Sequence, residues 1–170
     1  MELIRLTTDY ELKPFDCGDA DLNGFLLNDA KHYAEKNLAF TYLLLGEHGD
    51  IIAYYSLLND KISKRDTTNA TWRKLKKMFP HQKHFNSYPA IKIGRFAVST
   101  TYKGQGLGSE LMASIKMDVS ESANYSAFRF LTVDAYLEAI PFYEKNDFKM
   151  LISDEENDHT RTMYFDMIRM

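Results

Sequence analysis

The chain has 170 residues, of which 45% are apolar and 26% charged, and its formal net charge is −3. These values suit one soluble globular domain with a sizeable core and exclude a generally basic nucleic-acid-binding protein. The single cysteine, Cys17, excludes an internal disulfide, and the longest nearly apolar run, Ile51–Leu58, is too short to span a bilayer.

Glu2–Thr7 reads as a first strand, with Leu3, Ile4 and Leu6 apolar. Its opening, MELIRLT, has neither the basic region nor the long apolar stretch of a signal peptide, so a reducing cytoplasm is expected. Asp19 stands as the N-cap of a helix with the stripe Leu22, Phe25, Leu26, Ala30, Tyr33 and Ala34, and Gly24 weakens it. Ala39–Leu45 and Ile51–Leu58 read as strands joined by the loop Gly46–Asp50. Residues 59–88 are polar and basic and read as an insertion, in which Thr71–Phe79 forms a short helix on Trp72, Leu75 and Phe79 and stops at Pro80. Residues 61–92 hold nine Lys or Arg against one acid, Asp66, whereas the rest of the chain holds 12 basic and 23 acidic side chains. A basic segment on an acidic body steers an anionic partner.

Ile91–Val98 reads as a buried strand, with Ile91, Ile93, Phe96, Ala97 and Val98 apolar. A glycine-rich turn follows, and then a helix marked by the row Leu107, Leu111, Ile115 and Val119. The polar stretch Ser120–Ala127 ends that helix, and Phe128–Val133 is a fifth strand. Leu137–Asn146 is a short helix that begins properly near Ile140, because Pro141 suits a first helical turn. Lys149–Ile152 and Thr162–Asp166 close the chain as a hairpin with the acidic tip Asp154–His159. The order β-α-β-β-insert-β-α-β-α-β-β implies a mixed α/β sheet with helices on both faces.

The glycine turn carries the strongest chemical signal. Gly104, Gly106 and Gly108 let the backbone fold tightly and approach a ligand closely. A turn of this kind feeding a helix N-terminus aims several unpaired N–H groups at one point, which suits phosphate. No Lys-Ser or Lys-Thr follows a glycine, so this is not a P-loop, and Leu111 stands where a dinucleotide fingerprint needs its third glycine. The five histidines, 32, 48, 81, 84 and 159, have no spacing that suggests a metal site.

What remains, Lys103-x-x-Gly106-x-Gly108 after a strand, resembles motif A of the GNAT acyl-CoA N-acetyltransferases. That family's pattern opens on Gln or Arg, so Lys103 keeps a charge but lacks the planar fork of arginine. Ala139–Phe148, AIPFYEKNDF, is similar to the family's FY-x-x-x-GF motif, with Asp147 in place of the glycine. Asp tolerates a left-handed C-cap, so the turn survives. A narrower resemblance covers most of the chain. PFDCGDADLNGFL, AYYSLL, the basic insertion and YPAIKIGRFAV are similar in order to a GNAT branch that contains toxins of toxin–antitoxin pairs, which acetylate aminoacyl-tRNA.

The resemblance implies a central, mostly antiparallel sheet of six to seven strands and acetyl-CoA as cosubstrate. It implies that the backbone of Phe96, Ala97 and Val98 pairs with the pantetheine arm, with an N–H of Ala97 or Val98 polarising the thioester carbonyl. Lys103, Gly104, Gln105, Gly106, Leu107, Gly108 and Ser109 then cradle the pyrophosphate. Tyr143 aligns with the tyrosine that protonates the CoA sulfur; the other reading of Tyr143 and Phe142 is simple packing. Asp134 ends the fifth strand and stands as a proton acceptor or a loop cap, with water as the default route for the amine proton. Arg95 binds substrate phosphate or forms a structural salt bridge. Lys74 and Lys77, with Lys61, Lys64, Arg65, Arg73 and Lys76, form an RNA-contact surface or a solvated helix face anchored by Trp72. The acceptor stays open between charged tRNA, a small amine and a protein amine, and a non-catalytic acyl-CoA sensor is the reading from another class. An antitoxin protein and a homodimer are the further partners considered; no membrane and no metal are expected.

Overall fold

The computed structural model of the chain describes residues 1–79, 85–121, 126–152 and 159–169. Pro80, His81, His84, the middle of the stretch 120–127 and residues 154–158 of the expected acidic tip lie outside these. Among the described residues the strands are β1 (Glu2–Arg5), β2 (Phe40–Leu45), β3 (Ile51–Ser63), β4 (Ser87–Val98), β5 (Phe130–Tyr136), β6 (Lys149–Met150) and β7 (Thr160–Asp166). They form one sheet in the order β1-β2-β3-β4-β5-β7-β6. The pairs β1/β2, β2/β3, β5/β7 and β6/β7 are antiparallel. β5 instead follows the direction of the first half of β4, because Arg129 N donates to Pro89 O at 2.9 Å and Thr132 Oγ1 to Ile91 O at 3.4 Å. The mixed, mostly antiparallel α/β sheet expected from the sequence is the fold observed.

The chain makes two compact units, Met1–Leu58 with Ile93–Met112 and Asn59–Lys92 with Ala113–Met170. In the first unit Asp19 Oδ1 accepts from the N–H groups of Asp21 at 2.9 Å and Leu22 at 3.0 Å, and so starts the helix as its sequence demands. The helix is not uniform. α1 (Ala20–Gly24) passes through a π-helical turn, Phe25–Asp29, into α2 (Ala30–Glu35). The turn lies beside Gly24, the weak helix former, and its wider register buries Leu26 while Leu27 stays 42% exposed. Phe25, Leu26 and Ala30 pack with Leu6, Phe15, Leu43, Tyr54 and Ala97 into the core of this unit.

In the second unit the insertion is narrower than the sequence suggested. β3 continues past Leu58 to Ser63 and β4 begins at Ser87. Composition reads residues 59–63 and 87–90 as loop, but a ladder satisfies a polar strand's backbone as well as an apolar one's. Between them lie a 3-10 turn, Lys64–Asp66, and α3 (Asn69–Lys76), capped by Thr68 Oγ1 on Thr71 N at 3.1 Å. Trp72 and Leu75 dock on Ile62, Tyr88, Phe130, Leu151 and Tyr164. The Tyr88 ring stacks on Trp72 at 5.1 Å and on Phe79 at 4.0 Å. Arg129 holds the buried Asp166 in two bonds, 2.6 and 3.0 Å. α4 (Leu107–Glu121) and α5 (Ile140–Lys145) are the two helices of the motifs, with Pro141 in the first turn of α5. A C-terminal 3-10 turn, Met167–Arg169, was not anticipated.

Candidate active site

The expected phosphate cradle lies entirely in the first unit. Ser99 N donates to Ile52 O at 2.8 Å, which carries the end of β4 along β3 before the chain turns through Thr100–Tyr102. Gly104 and Gly106 adopt φ of +79° and +83°, the left-handed region that side chains rarely enter. A Cβ built at either meets nothing within 4 Å. α4 begins at once, and the N–H groups of Ser109 and Glu110 turn back to Gly106 O at 3.0 and 3.3 Å. Open space over two bare backbone positions at a helix N-terminus fits a pyrophosphate. Phe96, Ala97 and Val98 form the last residues of β4, leading straight into this turn.

Lys103 has a different task from the one its place in the motif suggests. Its ammonium donates to Cys17 O. The loop that receives it is itself built. Asp16 Oδ1 accepts from Gly18 N and Asn23 Nδ2, both at 2.8 Å, and Cys17 N donates to Asn23 Oδ1 at 2.9 Å. These bonds, from Gly18 first and then Asn23, hold the Asp16 carboxyl below its usual range. Thr100 N closes the latch on Asp16 O at 2.9 Å. The stretch Asp16–Asn23 thus buttresses the cradle, a role that sequence reading did not assign. The available signal was the density of Asp, Gly and Asn just before a helix.

Arg95 shares a face of β4 with Ile93 and Ala97. Its guanidinium carbon lies 4.9 Å from the Phe25 ring centroid, and Nη1 donates to Gly94 O at 2.8 Å. The expected salt bridge is not formed among the described residues, and the buried Nε has no hydrogen-bond partner. Gly94 is closely packed: a Cβ there would stand 2.8 Å from Leu58 Cδ2 and 3.1 Å from Ser56 Oγ, so those side chains would have to shift.

The proton-handling candidates lie in the second unit. Tyr143 sits in the middle of α5 and is 6% exposed. Phe142 and Phe148 pack edge-on to its ring, with centroids 5.2 and 5.5 Å away. Burial pushes its phenol well above the ordinary tyrosine value, so it is fully protonated at neutral pH. Asp134 is exposed but lies within β5, which runs on to Tyr136 instead of ending at Val133, and both its oxygens are engaged, one by Lys92 Nζ at 2.5 Å and one by Thr162 Oγ1 at 2.7 Å. Lys74 and Lys77 are exposed on and just after α3. Among the described residues no group of three His, Cys, Asp or Glu side chains could hold a metal, and no helix is long and apolar enough to cross a membrane.

Sheet, glycine turn and motif helix together are the frame of an acyltransferase. The family model described as Acetyltransferase (GNAT) domain matches residues 82–168, just over half of the chain, and the chain belongs to the GNAT acetyltransferase family. Acetyl-CoA is the cosubstrate of that family. Solved structures of the same fold include AtaT complexed with acetyl-methionyl-tRNAfMet, with TM-score 0.80 and 24% identity over 99% of this chain and 95% of that one. A tyrosine-to-phenylalanine mutant of KacT matches with TM-score 0.79 and 21% identity over 99% of this chain and 97% of that one. A tyrosine-to-phenylalanine mutant of the AtaT toxin, bound to the C-terminus of the antitoxin AtaR and acetyl-CoA, matches with TM-score 0.76 and 21% identity over 99% of this chain and 94% of that one. At these identities the likeness is one of fold.

Proposed function

We propose that the chain, acting over its whole length as one catalytic domain, acetylates the amino group of an aminoacyl-tRNA as the toxin of a toxin–antitoxin pair. The observation that carries the acceptor is the basic stretch. Trp72 and Leu75 pin α3 to the core while Lys61, Lys64, Arg65, Arg73, Lys74 and Lys77 stay exposed. A group of exposed cations on an anchored segment of an otherwise acidic chain suits a phosphate backbone. The fold shared with AtaT, solved in complex with acetyl-methionyl-tRNAfMet, supports the same reading. It also makes an antitoxin protein the expected partner and the cytoplasm the expected compartment.

Acetyl-CoA supplies an activated thioester. The backbone of Phe96–Val98 orients the pantetheine arm, and the glycine turn of residues 103–109 receives the pyrophosphate at the positive end of α4. Within that turn Lys103 contributes its backbone, its ammonium being tied to Cys17. An N–H of Ala97 or Val98 donates to the carbonyl oxygen where negative charge develops as the amine adds to the carbon. The C–S bond then breaks, and the Tyr143 phenol delivers its proton to the departing sulfur. The amine proton leaves through water, because Asp134 is held by Lys92 and Thr162. Arg95, half-buried over the Phe25 ring with Nη1 on Gly94 O, supplies positive charge toward an acceptor phosphate through its guanidinium as a whole.

The test is transfer of labelled acetyl from acetyl-CoA to a pool of charged tRNA, with deacylated tRNA, polyamines and peptides in parallel. Label on charged tRNA alone, lost in Tyr143→Phe, is the expected result. Label on polyamines or peptides instead would discard the tRNA acceptor. Tight acetyl-CoA binding with no label anywhere would favour a sensor.

A further inference from the structure

Lys116 is a buried charge that the chemistry above does not use and that, unlike Asp166, has no oppositely charged partner among the described residues. It lies on α4 and is 8% exposed, which is rare for lysine. Among the described residues no carboxylate stands within ion-pair distance of it. Its ammonium donates to Asn146 O at 2.5 Å, at the end of α5. It also lies 3.8 Å from the ring centroid of Phe165 and 5.3 Å from that of Phe148. Burial lowers its pKa, and the Asp147 carboxylate opposes that shift. A buried ammonium is costly unless something replaces water. Here the replacement is the negative end of a helix dipole, one carbonyl and two ring faces.

What Lys116 grips is the end of the helix that carries Tyr143. α5 has six residues, too few to hold its own shape. Its last turn is closed on Tyr143 itself. Tyr143 O accepts from the N–H groups of Asn146 and Phe148, each at 3.0 Å. Asn146 Nδ2 donates back to Phe142 O at 2.8 Å, and Asp147 completes the turn with φ of 64°. The Phe148 ring lies against both the Lys116 ammonium and the Tyr143 ring. Both Asn146 and Phe148 thus link the ammonium to Tyr143 through a single residue.

We infer that Lys116 is a positioning residue for Tyr143: its ammonium pins the C-terminal end of α5 and fixes the phenol in one orientation. The inference rests on Tyr143 as the proton donor for its catalytic consequence, and on geometry alone for its structural one. Lys116→Met keeps the length of the side chain among the rings and removes the donor and the charge. Lys116→Arg keeps both, and Lys116→Gln keeps a donor without the charge, should the methionine variant fail to fold.

Two readouts separate the layers. With fluorotyrosine incorporated throughout and the Tyr143 signal identified by its loss in Tyr143→Phe, the fluorine spectrum of wild type is expected to show one sharp Tyr143 resonance. In Lys116→Met that resonance shifts and broadens, and Lys116→Arg restores it. An unchanged resonance in both Lys116→Met and Lys116→Gln overturns the inference. In steady-state kinetics with charged tRNA, Lys116→Met lowers kcat about tenfold with the acetyl-CoA KM unchanged, and does so less than twofold in a Tyr143→Phe background, because the two act as one unit. Equal effects in both backgrounds also overturn it. If Tyr143→Phe alone leaves kcat intact, the proton-donor reading fails, while the fluorine result still decides whether Lys116 positions the ring.

Discussion

Replacing Gly106 with alanine separates the shape of the cradle from its ligand. Gly106 has φ of +83°, where an L side chain costs about 1–2 kcal/mol. Nothing lies within 4 Å of the new methyl, so no clash adds to that strain. For a chain of this size each kcal/mol lowers Tm by about 2–4 °C, so the melt should fall by about 2–8 °C. The same methyl stands where a phosphate oxygen would approach the amides. Loss of one charge-assisted hydrogen bond there is worth about 1.5–3 kcal/mol, or about 10- to 100-fold in Kd. Calorimetric titration of wild type and Gly106→Ala with acetyl-CoA and with acetyl-pantetheine, which lacks the pyrophosphate, gives the comparison. Acetyl-CoA should lose affinity and acetyl-pantetheine should not. Gly24→Ala, in a helical conformation with equally open surroundings, is the control: about 0.5–1 kcal/mol more stable, with binding unchanged. Acetyl-CoA binding Gly106→Ala within twofold of wild type, in a protein whose melt has fallen as expected, would refute the cradle.

Tyr143→Phe should lower kcat by about 100- to 10,000-fold with acetyl-CoA affinity unchanged. The raised phenol keeps its proton beyond the ordinary tyrosine range, so the alkaline limb of the wild-type profile contributed by this group falls above pH ~10. By the same sign, the stability that burial of the neutral phenol provides is intact below that pH and is lost as pH rises further, which a pH series of thermal melts would show. Arg129→Ala leaves Asp166 buried without its two bonds and should destabilise the protein by about 3–5 kcal/mol in urea titrations. Lys74→Glu with Lys77→Glu should weaken tRNA binding across all sequences and flatten its dependence on log salt, by about one unit of slope for each phosphate that is no longer neutralised. Acetyl-CoA binding should not change.

Short-range chemistry was legible in the sequence by itself. Asp19 caps α1 because a carboxylate just before an apolar stripe has two orphan amides in reach. Pro141 opens α5 because its ring suits a first turn. Gly104 and Gly106 take positive φ because the tight turn needs the left-handed region, which glycine alone enters at little cost. Each of these needs only residues a few positions apart, so a linear reading reaches them. The order of strands and helices followed for the same reason, and with it the family.

The tertiary structure decided which distant groups meet. Lys103 is tied to Cys17, 86 positions away, and so braces the turn with its ammonium. Lys116 reaches Asn146, 30 positions on, and in the sequence it stands off the apolar row Leu107, Leu111, Ile115 and Val119 as one more helical lysine. Asp134 is spoken for by Lys92 and Thr162, and Arg95 lies over Phe25 in place of a carboxylate. Local propensity and periodicity report how each segment buries its own face. They carry no information on which donor ends beside which acceptor once the segments pack, and it is that pairing that assigns these charged side chains their roles.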